Sequence, residues 1–382
     1  MKLKVPKTIL DKAIKAVSKA VPSKGVQPIL NNILLENSNG YLKLNATDLD
    51  FTIEAIIPSS NEIDGSITIS ARKLEEVVSK LEDDDVIITV DRETNKTNLL
   101  CRHSNFDLVG VASDDFPRIE KEESSSFVTI NKDKLSRILD LVQFSASKYD
   151  LNNILGGVYL AIREDTESSE TIFEFAATDG NRLSSYELVL EKDSSSSNFS
   201  RKEVVVPLRV ISDVQKILET SVDEEIRISF LANKIVFFTQ DRYIISRLLE
   251  GTYPRYKQLV PEGQNKIAQV NRKELISCLE RVAVMANEIT NLVKLSFKEG
   301  SLEIESSNQD FGKAADNIDI EYIGEPINIY FNVKYLVEPL KHINSENIQI
   351  SMIGSLNPAL IKPISDENYL HLIMPIKHES NA

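Results

Sequence analysis

Apolar and polar positions follow a pattern that occurs three times along the chain. In the segments 3–21, 128–146 and 268–286, a short alternating start is followed by apolar residues spaced three and four positions apart. This spacing places apolar side chains on one helical face, so each segment is predicted to be a strand followed by an amphipathic helix. Shifts of 125 and then 140 residues superpose the apolar positions, for example Leu10, Leu135 and Leu275. The chain therefore contains a threefold internal repeat.

A second strand and helix are predicted later in each repeat, over 67–81, 204–218 and 327–343. In the first two repeats, the closing strands are followed by an aromatic residue and a proline, Phe116-Pro117 and Tyr253-Pro254. Each repeat thus predicts two helices and roughly eight short strands, which is an α+β fold with antiparallel sheet.

The three repeats predict three domains, at 1–124, 125–253 and 254–382. The serines at 124–126 and the residues after Pro254 are typical of exposed connections between domains. A repeat is compatible with any scaffold that is built as an array, so it indicates an architecture and no particular function.

Charge is divided unevenly between the predicted helices and the rest of the chain. The sequence has 44 basic and 58 acidic residues, and such an acidic balance taken alone argues against a nucleic-acid binder. The six predicted helices nevertheless carry 19 basic and 11 acidic side chains, while the remainder carries 25 and 47. If the repeats curve round so that the helices face inward, the helices attract DNA phosphates regardless of base sequence, and the acidic exterior repels DNA.

The first predicted helix, within 7–24, shows how this separation arises. At about 100° per residue, its apolar residues fall in one arc and Lys12, Lys15 and Lys19 fall in a narrow arc opposite. The apolar arc is expected to pack on a sheet, so the lysines project away from it.

Cofactor and metal chemistry receive no support from the sequence. Cys101 and Cys278 stand far apart without CxxC spacing, which predicts no zinc site and no disulfide, as in a reducing cytoplasm. No glycine-rich nucleotide loop is present, and the four histidines lack metal-ligand spacing. No apolar run approaches the roughly 18 residues of a membrane span, and the N-terminus does not resemble a signal peptide.

Several local motifs follow one another over the whole length of the chain. The motifs are Pro28-Ile29-Leu30-Asn31-Asn32, Thr47-Asp48-Leu49, Ser70-Ala71-Arg72-Lys73, Asp115-Phe116-Pro117, Gln143-Phe144-Ser145, Ala177-Thr178-Asp179-Gly180-Asn181-Arg182-Leu183, Asn287-Glu288, Phe331-Asn332-Val333-Lys334-Tyr335 and Met374-Pro375-Ile376. Each motif is weak alone, but in this order they resemble the motifs of the bacterial DNA polymerase III beta subunit family, the beta sliding clamps, and the order makes the resemblance specific.

The resemblance implies three clamp-type domains per chain and a closed ring formed by a head-to-tail homodimer. It implies a non-enzymatic DNA sliding clamp that encircles double-stranded DNA, independently of sequence, and confers processivity on the replicative polymerase. It further implies docking of the replicative polymerase catalytic subunit, clamp-loader subunits, translesion polymerases and mismatch-repair proteins through short linear peptides. The expected location is the cytoplasm, in association with the nucleoid.

The resemblance also carries over two sets of residues. The DNA contacts are Lys24, Arg72, Lys148, Tyr149, Asn153 and Arg209. The peptide-binding pocket is formed by Leu155, Thr178, Gly180, Asn181, Arg182, Leu183, Pro254, Gln258, Leu259, Asn332, Tyr335, Leu356, Pro358, Leu372, Ile373, Met374, Pro375 and Ile376. Aliphatic walls that include a methionine suit a site that accepts different short peptides.

The dimer is expected to join the two end repeats. Each end repeat must offer an unpaired sheet edge, and a head-to-tail contact that closes after two copies covers both edges. The candidate contact residues are Lys73, Phe106 and Leu108 in the first repeat, and Val284 and Met285 in the last.

Three positions depart from the family pattern. Asn181 stands where an aromatic residue or histidine is frequent, Gln258 where a basic residue is common, and Thr290 where a bulky apolar residue occurs. These departures predict a changed peptide preference. The tail at 378–382 could also cover part of the pocket.

Two other functions are alternatives to a clamp. A phosphoesterase using Asp48, Asp179 and Asp310 would need the three carboxylates to converge, whereas the repeat places one in each domain. A peptide-binding adaptor without DNA encirclement would have no use for positive charge concentrated on helices.

Overall fold

The computed structural model of the chain describes residues 1–23, 27–118, 121, 126–149, 153–165, 170–191, 202–221 and 223–377. Every strand pair among these residues is antiparallel, as the alternating pattern predicted. No helix in the described part is both long enough and apolar enough to cross a membrane.

The first repeat contains two helices and nine strands in its described residues. They are β1 (Lys2–Pro6), α1 (Lys7–Val17), β2 (Asn32–Ser38), β3 (Tyr41–Thr47), β4 (Phe51–Pro58), β5 (Ser60–Ile63), β6 (Gly65–Ser70), α2 (Ala71–Lys80), β7 (Asp85–Val90), β8 (Lys96–Cys101) and β9 (Ser104–Val111). α1 is shorter than predicted: a 3-10 turn follows at Ser18–Ala20, and Pro22 cannot continue a helix.

The middle repeat has the same plan, with two helices and eight strands in its described residues. They are β10 (Val128–Asn131), α3 (Lys132–Val142), β11 (Gly157–Glu164), β12 (Thr171–Thr178), β13 (Arg182–Leu190), β14 (Lys202–Pro207), α4 (Leu208–Thr220), β15 (Glu225–Phe230), β16 (Lys234–Phe238) and β17 (Arg242–Arg247). α3 is followed by a 3-10 turn at Gln143–Ser145. The side-chain oxygen of Asn131 starts α3 by accepting the amides of Asp133 and Lys134.

The last repeat has two helices and nine strands in the part that the structure describes. They are β18 (Lys266–Asn271), α5 (Arg272–Ala283), β19 (Leu292–Lys298), β20 (Ser301–Asn308), β21 (Gly312–Asp319), β22 (Glu321–Ile323), β23 (Ile327–Asn332), α6 (Val333–His342), β24 (Asn347–Met352), β25 (Ala359–Pro363) and β26 (Tyr369–Ile373). Asn271 and Asn332 cap its two helices, just as Asn131 caps α3. The predicted plan of two helices and about eight strands per repeat is confirmed.

The described residues form two compact units. The described residues of the first unit are 1–23, 27–118, 121, 126–135, 212–221 and 223–248, and they contain one sheet of thirteen strands in the order β10-β15-β16-β17-β4-β3-β2-β6-β9-β8-β7-β1-β5. In this unit the middle repeat extends the sheet of the first repeat, because β17 pairs with β4. α1 packs against β4 and α2 through its predicted apolar face, which includes the buried Leu10 and Ile14.

The described residues of the second unit are 136–149, 153–165, 170–191, 202–211 and 249–377. It contains a nine-stranded sheet in the order β14-β11-β12-β13-β26-β25-β24-β18-β22 and a four-stranded sheet in the order β21-β20-β19-β23. The strands of the middle and last repeats join in this unit through the pairing of β13 with β26. That pairing places the turn before β13 next to the residues that follow β26.

Candidate functional site

Each of the six helices carries an exposed lysine without an ion pair among the described residues. These lysines are Lys12, Lys80, Lys134, Lys216, Lys273 and Lys334. Several other basic side chains on the helices form ion pairs within the protein: Lys15 pairs with Asp11 at 2.8 Å, and Lys341 pairs with Glu280 at 2.7 Å. The six lysines therefore supply positive charge that the protein itself does not neutralise.

The predicted DNA contacts are solvent-facing where the structure describes them. Arg72 lies on α2 in the first unit, is 84% exposed and is held by Glu76 at 2.8 Å. In the second unit, Lys148 lies 3.5 Å from Glu338, and the Tyr149 side chain is fully exposed. Lys24 lies outside the described residues.

The remaining two predicted DNA contacts both lie in the second unit. Arg209 is exposed near the start of α4. Asn153 is also exposed, but its side-chain oxygen accepts the amide of Leu155 at 3.2 Å and caps a short turn. Asn153 therefore has a local structural role in addition to any contact it makes with DNA.

The turn between β12 and β13 is built by side chains of the predicted pocket. The Thr178 hydroxyl donates to the carbonyl of Arg182 at 2.6 Å, and Asp179 accepts the amides of Asn181 at 3.0 Å and Arg182 at 3.1 Å. Gly180 adopts a φ of 89°, a left-handed conformation that glycine adopts without steric cost. The Thr-Asp-Gly motif thus specifies the shape of this turn.

Arg182 is buried and holds this turn to the neighbouring helices. Only 5% of its side chain is exposed, and its guanidinium donates to Asp179 at 3.1 Å, to Glu338 at 2.6 Å and to the carbonyl of Phe144 at 2.9 Å. It lies over the ring of Tyr335, at 4.7 Å from the centroid. Because the guanidinium donates to groups of the protein itself, Arg182 stabilises the site by holding the turn in place.

The pKa of the Glu338 carboxyl reflects the same pairing. Burial favours the neutral form and acts to raise this pKa, but the hydrogen bond and the positive charge of Arg182 lower it below its usual value, with a smaller contribution from Lys148. Glu338 therefore stays ionised and binds Arg182 as a charge-assisted pair.

The chain after β26 is fixed by backbone hydrogen bonds. Met374 donates to the carbonyl of Asn181 at 2.9 Å, and Ile376 donates to that of Tyr330 at 2.8 Å. Leu372 pairs with Leu183 in the sheet and is 2% exposed, Ile373 is fully buried, and Met374 is 41% exposed. Met374 is consequently the most exposed apolar residue of this segment.

The predicted pocket residues divide into a buried floor and an exposed surface. The floor contains Leu183 and Leu372 in one apolar cluster with Tyr159, Ala161, Ala176, Val205, Tyr253, Tyr256 and Leu360, while Leu155 packs at its margin. Thr178, Arg182 and Ile373 are also buried. The exposed members are Gly180, Asn181, Pro254, Gln258, Leu259, Leu356 and Met374, and the partly exposed ones are Asn332, Tyr335, Pro358, Pro375 and Ile376.

The segment from Gly251 to Val260 forms one side of this region. It contains a 3-10 turn at Tyr256–Leu259, and Leu259 is 53% exposed. A cleft of about 610 Å³ runs along the segment; of the predicted pocket residues, Pro254 and Gln258 belong to its walls. Sequence reasoning missed Tyr159, Tyr256 and Lys257, although the repeated aromatic–proline pair marked the segment.

Catalytic carboxylates are not supported by the structure. Asp48 and Asp179 each accept two backbone amides within their own turns, and so act as structural caps. No group of histidine, cysteine, aspartate and glutamate side chains in the described part is arranged to hold a metal ion.

Three sequence profiles match this chain in succession. They are described as the DNA polymerase III beta subunit N-terminal domain, over residues 1–120, the central domain, over 129–255, and the C-terminal domain, over 257–377. The beta sliding clamp of Synechococcus elongatus is 32% identical over 385 residues, covering 100% of both chains. That of Bacillus subtilis is 30% identical over 391 residues, covering 99% of this chain and all of the relative.

Solved structures of such proteins are also similar to this chain. The Pseudomonas aeruginosa DNA polymerase III subunit beta bound to griselimycin has a TM-score of 0.91 at 26% identity, over 99% of this chain and 100% of that chain. The Bacillus subtilis DNA polymerase sliding clamp has a TM-score of 0.90 at 30% identity, over 99% of each chain.

Proposed function

Because this chain belongs to the family of DNA polymerase III beta subunits, the beta sliding clamps, we propose that two copies close head to tail around duplex DNA and tether the replicative polymerase to it. The family membership inferred from the motifs is confirmed. The sliding clamps are processivity factors of DNA replication and not enzymes, so the phosphoesterase alternative is excluded.

The proposal that the protein encircles DNA rests on the unpaired lysines, one of which lies on each of the six helices. A lysine that no carboxylate neutralises can contact phosphate and release bound counterions, which gives attraction independent of base sequence. The net charge of −14 then belongs mainly to the strands and loops, where it discourages DNA from binding outside the ring. An adaptor that binds only peptides gains nothing from this distribution.

The ring requires free sheet edges, and each unit offers a candidate. In the first unit, β9 pairs along its length with β8 but meets β6 only at Gly110 and Val111, and Phe106 and Val109 are 37% and 79% exposed. In the second unit, β21 pairs only with β20 among the described strands, and Val284 after α5 is 77% exposed. We assign Lys73, Phe106, Leu108, Val284 and Met285 to the dimer contact.

The exposed side chains of Leu259, Leu356 and Met374 form the proposed peptide-docking surface, above the floor that includes Leu183 and Leu372. Burying two partner side chains there contributes roughly 3–6 kcal/mol before ordering costs. Binding in the micromolar range would suit polymerases, clamp-loader subunits and repair proteins that must exchange. Griselimycin, which is bound in the Pseudomonas aeruginosa structure, is a suitable probe of this surface.

Three finer features complete the proposal. Asn181, Gln258 and Thr290 are exposed and give the docking surface its own peptide preference. The three repeats correspond to domains at 1–124, 125–253 and 254–382. The protein acts in the cytoplasm, on the DNA of the nucleoid. The tail at 378–382 lies outside the described residues.

Retention on circular DNA tests encirclement. The protein, placed on a nicked plasmid by its clamp loader, should stay bound through gel filtration at high salt and leave when the plasmid is cut once. Replacing Lys12, Lys134 and Lys273 by Glu should reduce loading, whereas the same change at the exposed strand lysines Lys96, Lys202 and Lys298 should not. Equal retention on circular and cut DNA would rule out a topological link.

A further inference from the structure

One buried carboxylate lies at the edge of the proposed docking surface. Glu174, in β12, is 4% exposed, and its partners include two residues of the 3-10 turn that ends in Leu259. We propose that Glu174 is a positioning residue: through Tyr256 and Lys257 it fixes this turn, so that Leu259 stands where a peptide meets it. The proposal rests on peptide docking at this surface.

Glu174 receives donors from two separate parts of the second unit. Arg163 on β11 donates to its Oε1 atom, and so does the ammonium group of Lys257. The hydroxyl of Tyr256 donates to the other oxygen at 3.4 Å. Both carboxylate oxygens are thus engaged, one of them by the sheet and the turn together.

The turn depends on side chains for its place in the fold. The backbone hydrogen bonds of Tyr256, Gln258 and Val260 run to residues two or three positions earlier, within the segment itself. Two tyrosines connect the segment to the sheet by packing: Tyr253 stacks on Tyr159 at 5.0 Å, and Tyr256 meets the same ring edge-on at 6.0 Å. Ring packing tolerates small displacements, whereas a buried ion pair with hydrogen bonds fixes position and angle.

The charge on Glu174 is maintained by its partners. Burial acts to raise the pKa of its carboxyl, but hydrogen bonds from Lys257 and Arg163 lower it below the usual value, so the group is ionised at neutral pH. If the turn moved away, it would remove Lys257 from a desolvated anion, which is costly. The fixed turn is therefore the favoured state before any peptide arrives.

Glu187 provides a matched control within the same network. Its carboxylate also contacts Lys257, at 2.6 Å, and Arg163, at 3.4 Å. It is 40% exposed, however, so water screens both contacts and replaces them at little cost. Removing the same charge at Glu187 should leave the turn in place.

The experiment compares griselimycin affinity by calorimetry in the unchanged protein, Glu174→Gln and Glu187→Gln. Glu174→Gln should weaken binding at least about tenfold, as expected when a buried charged hydrogen bond is lost, and Glu187→Gln by less than about twofold. Lys257→Gln should weaken binding as well, and the double variant Glu174→Gln/Lys257→Gln should be no weaker than Glu174→Gln. Amide hydrogen exchange at 253–260 should accelerate in Glu174→Gln.

A purely structural role would give a different result. Ile304→Val, in the fully buried β20 position of the same unit, lowers stability without touching the turn, and should leave affinity unchanged. If Glu174→Gln behaves like Ile304→Val, with a lower melting temperature and unchanged affinity, the positioning role is overturned. If the unchanged protein does not bind griselimycin, the docking surface itself is overturned, and this inference with it.

Discussion

One turn in each unit has the same hydrogen-bonding pattern, but the side chains around the two turns differ. In the first unit, the Thr47 hydroxyl donates to the carbonyl of Phe51 at 3.3 Å, and Asp48 accepts the amides of Asp50 at 3.1 Å and Phe51 at 2.7 Å. The turn of Thr178 and Asp179 in the second unit repeats each of these bonds. The backbone frame is therefore a property of the repeat.

The side chains on this frame are different. Phe51, which is 3% exposed, stands where the second unit has the buried cation Arg182. The 125-residue shift also places Lys19 at the position of the aromatic Phe144, so ring and cation have exchanged places. The carboxylate is kept, because Lys19 lies 3.7 Å from Asp213, at the position of Glu338. The second unit thus has a buried charge, Arg182, at the position where the first unit has the apolar Phe51.

The two turns also differ in the side chains at their exposed ends, which are charged in the first unit and apolar in the second. Arg247 donates its amide to the carbonyl of Asp50 at 2.8 Å, as Met374 does to Asn181. The Arg247 side chain then pairs with Asp50 at 3.2 Å, whereas Met374 is left exposed. An ion pair therefore occupies the position that offers an apolar contact in the second unit, which explains why we place the docking surface only there.

The largest expected difference follows from the buried charge. Arg182→Met should cost about 3–5 kcal/mol of stability in the second unit, because it leaves Asp179 without its ion-pair partner and Glu338 with only the more distant Lys148. Phe51→Leu in the first unit should cost only about 1.5 kcal/mol, as a change between apolar residues. Hydrogen exchange of strand amides in each unit measures both effects. Equal costs would remove the distinction between the two turns.

How far the sequence predicts this site depends on the range of the interactions. The Thr-Asp motif, the strands and the helices were predictable, because their signals lie within a few residues of one another. The inward direction of Arg182 was not, because its partner Glu338 is 156 residues away. Glu174 was missed for the same reason: a glutamate in an alternating strand gives no local sign that Lys257 will lie over it.

Acid should affect the second unit more strongly than the first. Burial, and next the positive charge of Arg182, lower the pKa of His371 to about 3, while Ile244 occupies the equivalent position in the first unit. The unfolded chain binds this proton below about pH 6.5 and the folded protein does not, so stability falls by about 1.4 kcal/mol per pH unit from there down to about pH 3.

The control for this pH effect is His371→Asn, which removes the titrating group. Unfolding by urea at pH 7 and pH 4.5 should show a loss about 3 kcal/mol smaller in this variant than in the unchanged protein. The same loss in both proteins would mean that other groups, such as protonated carboxylates, account for the acid sensitivity.

The exposed ends of the two turns should differ in binding. Met374→Ser should weaken griselimycin binding by roughly tenfold or more, because an apolar contact of about 1.5–3 kcal/mol is lost. Arg247→Ser at the equivalent place in the first unit should have no effect on affinity. Calorimetry on both variants measures this, and loss of affinity in Arg247→Ser would show that the ligand also binds the first turn.

The smallest expected effect concerns backbone strain at equivalent turn positions. Leu49 has a φ of 80° and Gly180 a φ of 89°, so a side chain is strained at both. Leu49→Gly should stabilise the first unit by about 1 kcal/mol, and Gly180→Ala should destabilise the second by about as much, although no atom lies within 4 Å of the added carbon. Thermal unfolding of both variants measures these changes in stability. If both melting temperatures shifted in the same direction, the two turns would not share one backbone conformation.

The clamp assignment itself is tested most directly by imaging the particle. Cryo-electron microscopy of the protein at micromolar concentration, with mass measured by sedimentation, should show a closed ring of two chains, twice the chain mass of 42.9 kDa, with an open channel wide enough for a DNA duplex. The six helices with their unpaired lysines should line that channel in each copy. A monomer, or a two-chain particle without a channel, would contradict the account.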